Sequence, residues 1–297
     1  MRRIVALDAP TNLGLRPPAE GVVPGCYKAP WALRDAGLLP RIGASDGGAV
    51  VPGRYDRAGW QPGDGAFNAS AIADFSIRLA SRVVRYVAAG EFVLVLGGDC
   101  TVTLGTMLGL RRLGRYGLAH IDGHSNFRHP GNSPHLGAAA GEELALVTGR
   151  GQPDLAGIDG LRPYVRDGDV VVFGIRDADE AAGELAGHGI LTVPASRIRP
   201  VGPVAATAEA LPRLEATELA GFWVHLDVDV LDPTVLPAVD APDPGGLTPD
   251  ELGGMLSVLV ASPLCVGMDV TVFDPDLDPD GGQAALLADI LVTALLL

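Results

Sequence analysis

Short apolar segments alternate along the chain with longer segments that carry apolar residues at helical spacing. The short segments predict strands at 3–7, 92–96, 116–121, 169–174, 190–193, 222–226 and 265–273. The longer segments predict helices at 31–36, 70–89, 103–113, 179–186, 204–219, 249–260 and 283–297. Residues 9–25 and 44–68, which are rich in glycine and proline, are predicted as loops. Strands that are apolar on both faces and alternate with helices indicate a parallel sheet covered by helices on both sides.

Two helix boundaries carry local signals of their own. Thr248 is suited to be an N-cap, with Pro249 at the first helical position and Glu251 closing a capping box. Gly90 follows the helix predicted at 70–89 and stands at a common C-cap position.

Polar side chains follow three of the predicted strands. Gly97-Gly98-Asp99-Cys100 follows the first of them, Asp122-Gly123-His124-Ser125-Asn126 the second and Asp227-Val228-Asp229 the third. Ligands of such folds bind beyond the carboxyl ends of the strands, so we expect these groups to meet at one edge of the sheet. In an extended strand, Asp227 and Asp229 would point to the same face.

Two carboxylates held close together repel each other, and each raises the pKa of the other. A hard divalent cation between Asp227 and Asp229 would remove that repulsion, which predicts a metal site. The alternative is a polar strand end that leads into a turn at Asp232-Pro233.

Composition narrows the functional classes. The chain has 297 residues, of which 47% are hydrophobic, and it carries a formal net charge of −14. No stretch of the sequence has the composition of a linker, so we expect a single domain over 1–297. The negative charge argues against a nucleic-acid partner and would attract a cationic small substrate, although acidic solvated surfaces are common without such a function.

Cysteine usage and the apolar segments bear on the cellular compartment. Cys26, Cys100 and Cys265 are an odd set with no paired spacing, which does not predict a disulfide framework. The apolar run near residue 4 is shorter than a signal-peptide core, and no run reaches the roughly 18 residues of a membrane span. We expect a cytoplasmic protein with no membrane partner.

The three polar strand ends resemble motifs of the ureohydrolase family, which includes arginase and agmatinase. That family carries Gly-Gly-Asp-His, Asp-Ala-His-x-Asp and Asp-x-Asp-x-x-Asp-Pro in this order, and the resemblance extends over 174–179, 237–242 and 245–248. It implies a three-layer α/β/α fold of the arginase/deacetylase type with a mainly eight-stranded parallel sheet. It also implies assembly into trimers or hexamers, two manganese ions, and cleavage of a guanidinium group into an amine and urea.

The resemblance assigns four residues to the family's second manganese ion, namely Asp122, His124, Asp227 and Asp229. Asp122 and Asp227 would also bridge to the first ion, and Asp122 therefore counts as a catalytic residue. The two ligands private to the first ion differ here, because Cys100 replaces a histidine and Asn126 replaces an aspartate. We therefore expect one Mn²⁺ rather than two.

Two accounts of the altered position are open. In the first, the position has decayed, because the neutral amide of Asn126 is a weak ligand, and the protein holds one ion or none. In the second, a Cys100 thiolate restores the lost charge and favours Zn²⁺, Fe²⁺ or Ni²⁺ over manganese. A bound metal would then lower the pKa of that thiol.

The resemblance also suggests a proton-relaying histidine after the second motif. His135, which stands two residues before Gly137, is the candidate for that catalytic role, and His129 is a second candidate in the same loop. The alternative is that both are ordinary surface histidines.

Substrate contacts are assigned in the same way. Asp179 and Glu180 are candidates for binding an amine, and Arg128 for binding a carboxylate, with a structural ion pair as the alternative for Arg128. The family's guanidinium-binding glutamate aligns with Val272, so Asp269 is the nearest acid on that strand.

Three functions are consistent with this pattern. The first is a metal-dependent hydrolase of non-peptide C–N bonds in a linear guanidino or amidine compound, releasing urea. The second is a divergent relative with one metal or none that catalyses a different biosynthetic reaction. The third is a non-catalytic subunit that pairs with an active relative. The number of metal ions per chain distinguishes among them.

Overall fold

The computed structural model describes residues 2–57 and 59–296, and within them the core element is an eight-stranded sheet. All of its strand pairings are parallel, and the strand order is β2-β1-β3-β8-β7-β4-β5-β6. The strands are β1 Ile4–Ala9, β2 Ser45–Ala49, β3 Phe92–Gly97, β4 Gly117–Ile121, β5 Val170–Phe173, β6 Leu191–Val193, β7 Phe222–Asp227 and β8 Cys265–Thr271.

Helices cover both faces of the sheet and bury an apolar core on each. One face is covered by α1 Ala29–Asp35, α2 Leu38–Ile42, α8 Ala195–Val201, α9 Pro203–Leu214, α10 Pro249–Ala261 and α11 Gly282–Leu295. The other face is covered by α3 Ala69–Ala88, α4 Val102–Leu113, α5 Glu143–Val147, α6 Pro153–Ala156 and α7 Ala182–Gly187. The predicted three-layer α/β/α fold with an eight-stranded parallel sheet is confirmed.

The edge strand β2 lies inside a stretch predicted as a loop, and that prediction is wrong. Its sequence, Ser-Asp-Gly-Gly-Ala, has no apolar alternation, because most of the strand is exposed. Main-chain pairing to β1 defines it instead, with Val5 opposite Ser45 and Ala6 opposite Asp46. Gly47 permits this pairing, since a Cβ there would lie 2.7 Å from the main-chain oxygen of Ala6.

The helix boundary at Thr248 forms as predicted. The Thr248 hydroxyl accepts from the amide of Glu251 at 3.2 Å, and the Glu251 carboxylate accepts from the amide of Thr248 at 2.8 Å. Helix α7 starts three residues later than predicted, because the carboxylate of Asp179 accepts from the amide of Ala181 in a turn before it.

No helix in the described part of the chain is both long enough and apolar enough to span a membrane.

Candidate metal centre and its cavity

Two neighbouring strands deliver the acidic residues of the site. Asp122 directly follows β4, and Asp227 is the last residue of β7, which pairs with β4 in parallel. Asp229 does not lie on the strand, so the expectation that it shares a strand face with Asp227 is wrong. Residues Val228–Val230 form a single 3-10 turn, which brings Asp229 to the same edge by another route.

Hydrogen bonds hold this turn, which we call the Asp227–Asp229 turn. The Asp227 carboxylate accepts from the amide of Asp229 at 2.9 Å, and the Asp229 carboxylate accepts from the amide of Gly123 at 3.1 Å. The Arg176 guanidinium donates to the main-chain oxygens of Asp229 at 2.9 Å and Asp243 at 2.8 Å. The acidic side chains are therefore fixed by the surrounding main chain.

Four of the predicted ligands, Asp122, His124, Asp227 and Asp229, lie together, and we call them the rim site. Ligand atoms of Asp122, His124 and Asp229 lie within 4.8 Å of one another, and His124 Nδ1 is 2.9 Å from a carboxylate oxygen of Asp229. Ligand atoms of Asp122 and Asp227 also lie within 4.8 Å. Carboxylate oxygens and one imidazole nitrogen are a donor set that fits a divalent cation such as Mn²⁺.

The two residues that differ from the family pattern, Cys100 and Asn126, contact the carboxylates of Asp227 and Asp122. Cys100 Sγ donates to Asp227 at 2.9 Å, and the Asn126 amide donates to Asp122 at 2.7 Å. Burial, followed by the charges of Asp227 and Asp122, raises the pKa of the Cys100 thiol well above its usual value. Because Cys100, Asp122 and Asp227 also bring ligand atoms within 4.8 Å of one another, the decay and retuning accounts both stay predictions.

The crowding of acids shifts the pKa values of the rim site. Burial and the charges of Asp229 and Asp122 raise the pKa of Asp227 well above its usual value. Burial opposes the charged form of His124, but its hydrogen bonds to Asp122 and Asp229 outweigh burial and raise its pKa to about 12. A divalent cation bound there would favour the charged form of Asp227 and displace a proton from His124.

A cavity of about 460 Å³ lies above the rim site. Among its lining residues are the following predicted site residues: Cys100, His124, Asn126, Arg128, Asp179, Glu180, Asp227 and Asp229. Arg128 pairs with Glu180 at 2.7 Å, and both side chains are exposed. Asp179 accepts from the amide of Ser125 at 2.8 Å and therefore holds the loop that carries His124.

Three candidate residues, His129, His135 and Asp269, are not among the cavity-lining residues. His129 Nε2 lies 2.9 Å from a carboxylate oxygen of Glu184. His135 is exposed, with its amide donating to Ser133, and it is not among the cavity-lining residues, so its proton-relay role stays a prediction without support from its position. Asp269 is fully buried inside β8 and accepts from Trp223 Nε1 at 2.6 Å. It does not reach the cavity as a substrate contact would.

Two acids in the cavity were not among the predicted site residues. Asp243 lies 3.2 Å from His124 Nε2. Asp240 faces the cavity, where desolvation and then the charges of Asp229 and Asp274 raise its pKa to about 6. Both belong to the proline-rich segment after β7. Two acids in a loop so close to the third polar strand end were the sequence signal that could have identified them.

The family model described as "Arginase family" matches residues 18–297. An arginase of Bacillus caldovelox is 29% identical over 299 residues, which cover 98% of this chain and 97% of that protein. An arginase of Staphylococcus aureus (strain MRSA252) is 28% identical over 268 residues, 88% of each chain. Among solved structures, the native Bacillus caldovelox arginase superposes with a TM-score of 0.89 at 27% identity, over 99% of this chain and 98% of that one. The Bacillus cereus arginase gives a TM-score of 0.86 at 26% identity with the same coverage.

Proposed function

The chain belongs to the arginase family, and from this premise we propose that it is a metal-dependent hydrolase of a non-peptide C–N bond in a linear guanidino compound, releasing urea, or in a linear amidine compound, releasing an amide. The observation that carries the proposal is the convergence of the rim site from two adjacent strand ends, with His124, Asp227 and Asp229 lining an open cavity. The proposed substrate is a small cationic molecule, in keeping with the acids around the cavity.

The rim site is proposed to hold one Mn²⁺ through Asp122, His124, Asp227 and Asp229. When bound, such a cation lowers the pKa of a water molecule and so supplies the nucleophile near neutral pH. The protein contributes a fixed ligand geometry, because the Asp227–Asp229 turn is held by main-chain hydrogen bonds.

Asp240 is proposed as the carboxylate that binds the cationic end of the substrate. Val272, which aligns with the family's guanidinium-binding glutamate, lines the cavity as an apolar side chain. Asp269 is enclosed within the sheet, so an acid from another segment has to meet the substrate. Asp240 lines the same cavity as Val272 and His124, and a cationic group beside it would favour its charged form.

Glu180 and Arg128 are still proposed as substrate contacts, whereas Asp179 is proposed to have a positioning role instead. Asp179 serves to position the His124 loop, since its oxygens accept from the amides of Ser125 and Ala181. Glu180 and Arg128 stand at the outer part of the cavity, where Arg128 would bind a substrate carboxylate. The single domain over 1–297, the assembly into trimers or hexamers and the cytoplasmic location stay predictions.

A second candidate function is a relative that has lost urea release, either with a different reaction or as a non-catalytic subunit. The hydrogen bonds from Cys100 and Asn126 to the two central carboxylates favour it, because neutral donors stand where the family has metal ligands. Urea release from arginine, agmatine and guanidinobutyrate by the manganese-loaded protein separates the two candidates. Release from one of them supports the hydrolase, and release from none, together with no manganese at the rim site, contradicts it.

We expect Asp240→Asn to raise KM for the active guanidino substrate roughly tenfold while kcat changes little, because a charge-assisted hydrogen bond to the cation is lost. Steady-state kinetics of urea release check this. Asp280→Asn removes the same charge at an exposed position outside the cavity and should leave KM unchanged. An unaltered KM in Asp240→Asn would exclude Asp240 as the substrate contact.

The decay account predicts a gain of metal on reversion. Cys100→His combined with Asn126→Asp is expected to add about one manganese per chain, because a charged ligand and an imidazole return to the altered position. Elemental analysis after dialysis against Mn²⁺ gives the count. Cys265→Ser, at the opposite end of the sheet from the cavity, is the control and should change nothing. An unchanged manganese count in the double variant would mean that the decay account is wrong.

A further inference from the structure

A second group of ionisable side chains lies directly beneath the rim site. His120 on β4 and His225 on β7 each stand two residues before an aspartate of the rim site, and they face each other with ring centroids 4.9 Å apart. Glu143, the first residue of α5, completes the group. All three side chains are fully buried, and none has a role in the proposed reaction.

The ligand atoms of this group converge. Those of His120, Asp122, Glu143 and His225 all lie within 4.8 Å of one another. His120 Nε2 is 2.5 Å from Glu143 Oε1 and 3.7 Å from Asp122 Oδ2, and His225 Nε2 is 3.9 Å from the same Glu143 oxygen. Ligands of a tetrahedral metal ion with bonds of about 2.1 Å lie about 3.4 Å apart, close to the separations of 3.7 and 3.9 Å. The 2.5 Å contact is a hydrogen bond between His120 and Glu143, which a bound cation would replace.

Three buried atoms of the same group have no hydrogen-bond partner. They are His120 Nδ1, Glu143 Oε2 and His225 Nε2. Buried polar atoms in folded proteins are nearly always paired, and an unpaired one calls for an explanation such as an ion. All three atoms belong to candidate ligands of one group. Their lack of partners is therefore a second observation, independent of the distances.

The ring of His225 is oriented as a ligand would be. Its Nδ1 lies 2.5 Å from a carboxylate oxygen of Asp269, whose other oxygen accepts from Trp223 Nε1 at 2.6 Å. Thr103 Oγ1 also contacts this Nδ1 at 2.8 Å, so the ring is held with Nε2 facing Glu143 Oε1, 3.9 Å away. Metal-binding histidines commonly donate their second ring nitrogen to a carboxylate in this way, which fixes both tautomer and orientation.

We propose that His120, Glu143 and His225, together with Asp122, form a second cation site, which we call the deep site. Two imidazoles and two carboxylates suit a borderline transition metal, with Zn²⁺ as the best match, rather than Ca²⁺ or Mg²⁺, which take oxygen ligands. Asp122 is shared with the rim site, so the two ions would lie on successive layers of the same strands. The deep site goes beyond the proposed function, which requires the rim site alone.

Neighbouring glutamates provide a matched test. Glu143→Gln keeps the shape of the side chain and removes a ligand charge, whereas Glu142→Gln makes the same change one residue earlier. Glu142 is also buried but accepts from the amide of Gly137 instead. After loading with Zn²⁺ and removal of free metal, elemental analysis should find one zinc fewer per chain in Glu143→Gln than in the wild type and no change in Glu142→Gln. An equal zinc count in Glu143→Gln and the wild type overturns the deep site.

Asp229→Asn separates the two sites, because Asp229 belongs to the rim site alone. Loss of one zinc in Glu143→Gln but none in Asp229→Asn would support the deep site and contradict the rim site, and the reverse would do the opposite. If Glu143→Gln fails to fold, as judged by circular dichroism, zinc-soaked crystals of the wild type decide. The deep site requires an anomalous peak at the zinc edge about 2.0–2.2 Å from His225 Nε2, and the absence of that peak overturns it.

Discussion

Asp229→Asn is expected to lower kcat/KM for urea release on the order of 10³-fold, which corresponds to roughly 4 kcal/mol of lost stabilisation. Asp229 is buried beside Asp122 and His124, and its charge is part of what would hold the rim cation. Removing that charge weakens binding of the cation and leaves the neighbouring charges unbalanced. The same preparation should contain about one manganese fewer per chain, which elemental analysis measures.

Asp280→Asn is again the matched control, since it makes the same chemical change at an exposed position and should keep both activity and metal. The outcome that contradicts the rim site is an Asp229→Asn protein that is folded, retains its manganese and works at the wild-type rate.

Gly98→Ala is expected to lower the free energy of unfolding by about 4 kcal/mol. A Cβ on Gly98 would lie 1.6 Å from the main-chain oxygen of Thr11 and 2.6 Å from its carbonyl carbon. These are main-chain atoms and cannot rotate away, so the loop after β1 must separate from the loop after β3. Thermal unfolding should show a midpoint lowered by roughly 6 °C, because the unfolding entropy of a 297-residue chain is about 0.6 kcal/mol/K.

Gly253→Ala is the comparison, because Gly253 lies within helix α10 and has no atom within 4 Å of an added Cβ. There the substitution should raise the free energy of unfolding by about 0.5–1 kcal/mol, since alanine is the better helix former. If both variants unfold at the wild-type temperature, the close approach at Gly98 is not a constraint on the fold.

This contact explains why the second residue of the Gly97-Gly98-Asp99-Cys100 motif is glycine. Gly98 lets the Asp99 amide donate to Thr11 at 3.0 Å, and it thereby sets the direction in which the chain leaves β3 toward Cys100. From the sequence alone, Gly97-Gly98 could be recognised as a turn after a buried strand, but the partner that requires it is 87 residues away in the chain.

The strands that carry the site were predictable, because apolar segments buried on both faces stand out from polar loops. Three polar strand ends at one edge follow from that pattern. The position of Asp229 was not predictable, because its amide donates to the Asp227 carboxylate, and this bond turns the chain and ends the strand. Strand β2 was missed for the related reason that main-chain pairing, not side-chain pattern, maintains it.

Asp269 and the deep-site histidines His120 and His225 show a second limit of prediction from the sequence. Residues His120 and Asp122, like His225 and Asp227, are two apart, and that alternation was visible in the sequence. The depth of these side chains below the cavity could not be predicted, because it depends on the register of the strands. The register of β8 places Asp269 opposite His225 rather than at the cavity. Glu143 comes from a helix whose approach to these strands depends on packing across the whole layer.

The contacts of Arg176 bear on how tightly the rim site can hold an ion. Its guanidinium joins main-chain oxygens of the Asp227–Asp229 turn to that of Asp243, so two loops are tied together by the protein itself. The ligands are thus preorganised, and little conformational entropy is left to lose when a cation arrives. We infer that affinity at the rim is governed by ligand charge and proton displacement rather than by loop ordering, so that amide hydrogen exchange in 227–231 should be slow with or without manganese.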